Sequence, residues 1–62
     1  MNSDYQQVLE LLIIISDLSK EAIKKLQNSE YLAAHTDLCI MRKDVDEVMV
    51  RLDRMRKEKE NV

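Results

Sequence analysis

The apolar residues of this chain recur at alternating steps of three and four. Tyr5, Val8, Leu12, Ile15, Ser19, Ala22 and Leu26 fall on one such line, the spacing that returns a side chain to the same side of an α-helix at each turn. A second line, Tyr31, Ala34, Leu38, Met41, Val45, Val48, Leu52 and Met55, keeps the same rhythm with an apolar residue at every step. Each reads as a coiled-coil-like seam. The two are out of phase, because the first line carried on from Leu26 would pass through position 29 to Ala33, whereas the second starts at Tyr31. A two-residue slip swings a stripe by about 160° around a continuous helix and off its partner. The slip falls on Gln27-Asn28-Ser29-Glu30, four polar residues between apolar segments. The pattern therefore predicts an antiparallel helical hairpin, with helices at about 3–27 and 30–60, in one domain spanning 1–62.

Local signals agree with those ends. Ser3 and Gln6 have the spacing of a capping box, Asp4 sits where a helix N-terminus favours negative charge, and Lys24 and Lys25 sit where a C-terminus favours positive charge. At the turn, Asn28 suits a left-handed C-cap, Ser29 an N-cap and Glu30 a first turn. Along the second helix, Arg42–Asp46, Lys43–Glu47, Glu47–Arg51, Asp53–Lys57 and Arg56–Glu60 are i,i+4 pairs. Each adds only about 0.2–0.5 kcal/mol, but together they favour a long helix. A 30-residue partner outruns a 25-residue helix by on the order of 8 Å, so the segment from Arg51 to Val62 is expected to project.

The first helix carries more apolar surface than one neighbour covers. Beyond its seam lie Leu9, Leu11, Ile13, Ile14, Leu18 and Ile23, and around Leu11–Ile15 nearly every side is apolar. A helix of that kind is one buried on most sides. The expectation is a homodimer closing an all-α four-helix bundle, with Leu9, Leu11, Ile13, Ile14, Ile15 and Leu18 at the oligomer interface. Assembly with another helical protein is the alternative completion.

Composition narrows the function. The 62 residues include no Gly and no Pro, so glycine-dependent hairpin turns and phosphate-cradling loops are absent. Ten Lys and Arg against twelve Asp and Glu give a net charge of −2, with no global pull toward nucleic acid or an anionic membrane. The longest apolar block is far shorter than the roughly 20 residues of a membrane span. The first cation, Lys20, follows that block rather than preceding it as in a secretory signal. A single cysteine forms no internal disulfide and suits a reducing, cytoplasmic setting.

Little chemistry is on offer. His35 and Cys39 stand at i,i+4, but one His and one Cys fall short of a zinc ligand set, and two helices supply neither oxyanion donors nor a cleft. Cys39 is expected as a small buried filler and His35 as an edge residue. Asp44, Asp46 and Glu47 alternate with Arg42, Lys43 and Arg51, the pattern of a solvated charged face. No enzyme activity, metal or cofactor is expected. The chain reads instead as a regulatory interaction protein. Met49, Val50, Arg54 and Arg56, on the outer face of the second helix, are the candidate contacts for a protein partner. The rival reading is nucleic-acid binding through the basic end: Arg51, Arg54, Arg56, Lys57 and Lys59.

In plan (length, two helices, a short polar turn) the chain resembles the small plasmid RNA-binding four-helix-bundle proteins of the Rop type. That resemblance implies a dimer and RNA binding through aromatic and basic residues of the first helix. Here that helix has no Phe, and its cations are Lys20, Lys24 and Lys25. A short acidic helical chain opening Met1-Asn2-Ser3-Asp4-Tyr5 also resembles accessory proteins from the early regions of lambdoid phages, which implies docking on host factors.

Overall fold

The chain is two α-helices joined by a three-residue turn, α1 (Ser3–Gln27) and α2 (Tyr31–Glu60). The computed structural model describes residues 3–60, with side chains through Lys59; the expected Arg56–Glu60 pair and the segment's end at Val62 lie outside the described residues. The helices fold back on one another as a hairpin about 50 Å long, 16 Å wide and 12 Å deep. The all-α class, both helices and the turn stand where the hydrophobic pattern put them.

The turn works differently from the expectation. Ser29, not Asn28, takes the left-handed conformation, with φ of 61°. The Glu30 N–H donates to the Lys25 carbonyl at 2.8 Å, and the Ser29 N–H to the Leu26 carbonyl at 3.0 Å. Those two bonds are the Schellman pair that satisfies the last carbonyls of a helix. Glu30 then stands outside α2 as its N-cap, its own carbonyl accepting from the Ala34 N–H at 3.0 Å. Ser29 is thus used to end α1 rather than to start α2. The capping box is likewise replaced: Ser3 is already helical, and the Gln6 amide donates forward to Glu10 at 3.5 Å.

The line of contact between the helices is half the predicted one. In α1 the half-buried and buried positions are Asp4, Val8, Leu11, Ile15, Leu18, Ser19, Ala22 and Lys25. In α2 they run Ala34, Asp37, Met41, Asp44, Val48, Arg51 and Met55, with Ala33 beside them. Val8, Ile15, Ser19, Ala22, Ala34, Met41, Val48 and Met55 belong to both the predicted and the observed seams. The other members do not. Tyr5, Leu12 and Leu26 give way to Asp4, Leu11 and Lys25, with Leu18 added beside Ser19; Leu38, Val45 and Leu52 give way to Asp37, Asp44 and Arg51, and Tyr31 is exposed.

Cross-helix charge pairing accounts for the rotation. At the turn end the Lys25 ammonium donates to both oxygens of Asp37, at 2.9 and 3.0 Å. At the open end Asp4 accepts from Arg51 at 2.9 Å and from Arg54 at 2.8 and 3.0 Å. The Asp37 side chain is only 8% exposed and that of Asp4 only 15%. Carboxylates removed from water to that degree need charged donors, and these positions supply them. Between the ends, Leu18 is half-buried beside Ser19, adding apolar burial to the same rotation. Among the described residues no buried side-chain nitrogen or oxygen is without a partner.

Candidate functional site

Turning polar residues inward leaves apolar ones outside, and it leaves them together. In each helix the displaced residues sit one position past the contact line, about 100° further round. Two antiparallel helices that face each other place such positions on the same side of the hairpin. That side carries Tyr5, Leu9, Leu12, Ile23 and Leu26 from α1. From α2 it carries Tyr31, Leu38, Val45, Met49 and Leu52; all ten are exposed. A groove of about 300 Å³ lined by Ser19, Ala22, Ile23, Leu26, Ala34 and Leu38 runs between the two helices on this side and is almost wholly apolar. It lies where Ser19 interrupts the larger side chains of α1.

The predicted oligomer interface divides three ways. Leu11, Ile15 and Leu18 are half-buried on the line facing α2. Leu9 lies on the open apolar side, with Ile13 at its border, both exposed. Ile14 is exposed on the opposite side, level with Glu47, where the surface is mostly polar.

The predicted partner contacts are also spread out. Met49 lies on the open apolar side, whereas Val50 points outward from α2 in line with Leu32, the most exposed large apolar residue at 81%. Arg54 is taken up by Asp4. Arg56 pairs with Asp53 at 2.6 Å.

The basic end is compensated from within. Arg51 binds Asp4 and, at 2.7 Å, Glu47; Lys57 joins Arg56 on Asp53 at 3.2 Å; Lys59 is exposed. Hydrogen bonds from Arg54, reinforced by its charge and by Arg51, hold the Asp4 carboxyl below its ordinary value and raise Arg54 in turn. Arg56 and then Lys57 lower Asp53 in the same way. Of the i,i+4 pairs expected on α2, Glu47–Arg51 and Asp53–Lys57 form. Arg42–Asp46 and Lys43–Glu47 are not ion pairs among the described residues, Glu47 being turned toward Arg51.

Cys39 is exposed rather than buried, its sulfur 3.6 Å from His35 Nδ1 on the outer side of α2. The helical phase that removes Leu38 from the contact line also carries Cys39 out to solvent. No group of three or more His, Cys, Asp or Glu side chains is arranged to hold a metal ion among the described residues. Neither helix is long and apolar enough to cross a membrane.

The open apolar face is the feature that scanning each helix for its own partner missed. Its signal was present in the sequence as a surplus: each helix has apolar residues at two adjacent lines, and a single neighbour takes only one. Compared with known proteins, the chain matches no family model, no curated protein and no solved structure.

Proposed function

We propose that the chain is a non-enzymatic interaction protein that works as a self-associated helical bundle, with the outer side of α2 left for a protein partner. The observation that carries this reading is the one-sided apolar face. Ten large apolar side chains lie exposed on a single side of a hairpin whose own seam is closed at both ends by ion pairs. Contiguous apolar surface on this scale marks an association site. A hairpin face of 50 by 16 Å is on the order of 800 Å², what one partner buries in a stable interface.

A partner protein would meet α2 on its outward side, with Val50 and Leu32 as apolar contacts and Arg56 at the margin nearer Met49. Nucleic-acid binding through Arg51, Arg54, Arg56, Lys57 and Lys59 is the weaker reading, because Asp4, Glu47 and Asp53 already answer the first four charges. The two readings differ in salt dependence.

Two differently tagged copies, co-expressed and captured through one tag from 50 to 500 mM salt, test the proposal. Recovery of the second tag at every salt concentration is the expected result. Recovery of a single tag throughout, or nucleic acid retained at low salt and shed at high salt, contradicts it.

A further inference from the structure

We infer that the occupant of the open face is a second copy running in reverse, α1 against α1 and α2 against α2, about a twofold axis crossing the hairpin near Ser16. This rests on the self-association proposed above and specifies its geometry.

The first argument is the order of side-chain sizes along α1. On the open side they read Tyr5, Leu9, Leu12, Ser16, Ser19, Ile23, Leu26. Reversed about a point between Ile15 and Ser16, Tyr5 falls on Leu26 and Leu12 on Ser19, while Leu9 comes within one residue of Ile23. A reversed copy therefore sets its Leu12 over the groove at Ser19, and the small Ser16 side chains meet near the axis. Size complementarity of this kind is what close-packed interiors require.

The second argument comes from α2. Its open line, Tyr31, Leu38, Val45, Leu52, reverses about a point between Met41 and Arg42. The hairpin register brings Lys25 to Asp37 and Asp4 to Arg51 and Arg54, which sets that point within two to three residues, on the order of 4 Å, of the centre of α1. One axis therefore serves both helices, as an isologous interface demands.

The third argument is the rim. On α1 the border of the face is apolar at Ile13, whereas the border of α2 carries Arg42, Asp46 and Asp53. Reversed pairing joins the apolar border to its own copy and brings Arg42 near the second copy's Asp46. A copy related by an axis along the hairpin would instead seat α1 on α2, with Lys20 toward Arg42.

Disulfide trapping in a Cys39→Ser background reads the geometry. Ser16→Cys alone should oxidise to a covalent dimer, most of the chain shifting to twice the monomer mass on a non-reducing gel. A mixture of Ser19→Cys and Leu12→Cys chains should cross-link with each other in preference to themselves. A mixture of Leu12→Cys and Val45→Cys chains that cross-links, with Ser16→Cys remaining uncrosslinked, overturns the reversed arrangement. Sedimentation of the Cys39→Ser parent separates this failure from that of the broader proposal. A dimeric parent with the wrong cross-links refutes the geometry alone, while a monomeric parent refutes self-association as well.

Discussion

Asp4 and Arg54, fifty positions apart in sequence, meet in two hydrogen bonds of 2.8 and 3.0 Å that clasp the open end of the hairpin. Arg51 adds a third at 2.9 Å. The clasp and its counterpart at the turn, Lys25 with Asp37, settle which side of each helix turns inward. They thereby settle which side of the hairpin stays exposed.

Because the Asp4 carboxyl titrates below its ordinary 3.8, the clasp contributes fully above that pH. It is lost as pH falls through the lower folded-state value. Thermal unfolding followed by circular dichroism should show the melting temperature dropping below pH about 3.8. Asp4→Asn should melt lower than the parent at pH 7 and lose less on acidification. Equal acid sensitivity in the two proteins would contradict the clasp.

At the other end, Asp37 holds Lys25 above its ordinary 10.5, so that pair persists up to this pH and weakens as pH rises through the raised value. Lys25→Met leaves the nearly buried Asp37 carboxylate without its donor and should lower the melting temperature. Lys25→Met with Asp37→Leu, which removes both charges, should recover much of the loss. A double variant no better than the single one would show that the pair does not fix the register.

Ser29 occupies a left-handed position that costs a non-glycine residue roughly 1–2 kcal/mol. Ser29→Gly removes that cost while gaining some unfolded-state entropy, for a net stabilisation of up to about 1 kcal/mol in urea unfolding. Ser29→Val should destabilise by more than this. No change in either variant would argue against the Schellman turn.

Cys39 should react with a thiol reagent in the folded protein without waiting for unfolding, since its side chain is exposed. Cys39→Ser should change stability by less than about 0.5 kcal/mol, as for a surface site. Reaction that waits for denaturant would place the sulfur inside.

Substitutions on the two sides of α1 should separate folding from association. Leu12→Glu on the open face should keep the helical signal and weaken association at least tenfold, since burying one leucine is worth about 1.5–3 kcal/mol and tenfold corresponds to 1.4. Leu11→Glu, on the line facing α2, should reduce helicity itself. Ile14→Lys, on the opposite side, should leave both nearly unchanged. Sedimentation and circular dichroism on the three variants check this.

The lengths of the helices and the site of the turn were legible because they depend on local periodicity and on a phase slip within one stretch of chain. Half of the contact line was legible too: Val8, Ile15, Ala22, Met41 and Val48 are apolar on any reading of either helix. The other half was not. Counting apolar residues favours Leu12 over Leu11 no more than the reverse, and it rejects Asp4, Lys25, Asp37 and Arg51 outright. Those four enter the seam only as pairs, joined across 12 and 47 positions of chain, a relation that no single-helix pattern displays. The signal was opposite charges at helical spacing within both stripes, in the order an antiparallel fold would bring together. The apolar face follows from the same rotation, which is why a surplus was visible in the sequence while its position was not.

Sedimentation equilibrium of the unmodified chain over a range from about 5 to 500 µM tests the central claim most directly. The open face predicts a species of twice 7.3 kDa that dissociates only toward the lowest concentrations. A single species of 7.3 kDa, folded and unchanged at the highest concentration, would contradict it.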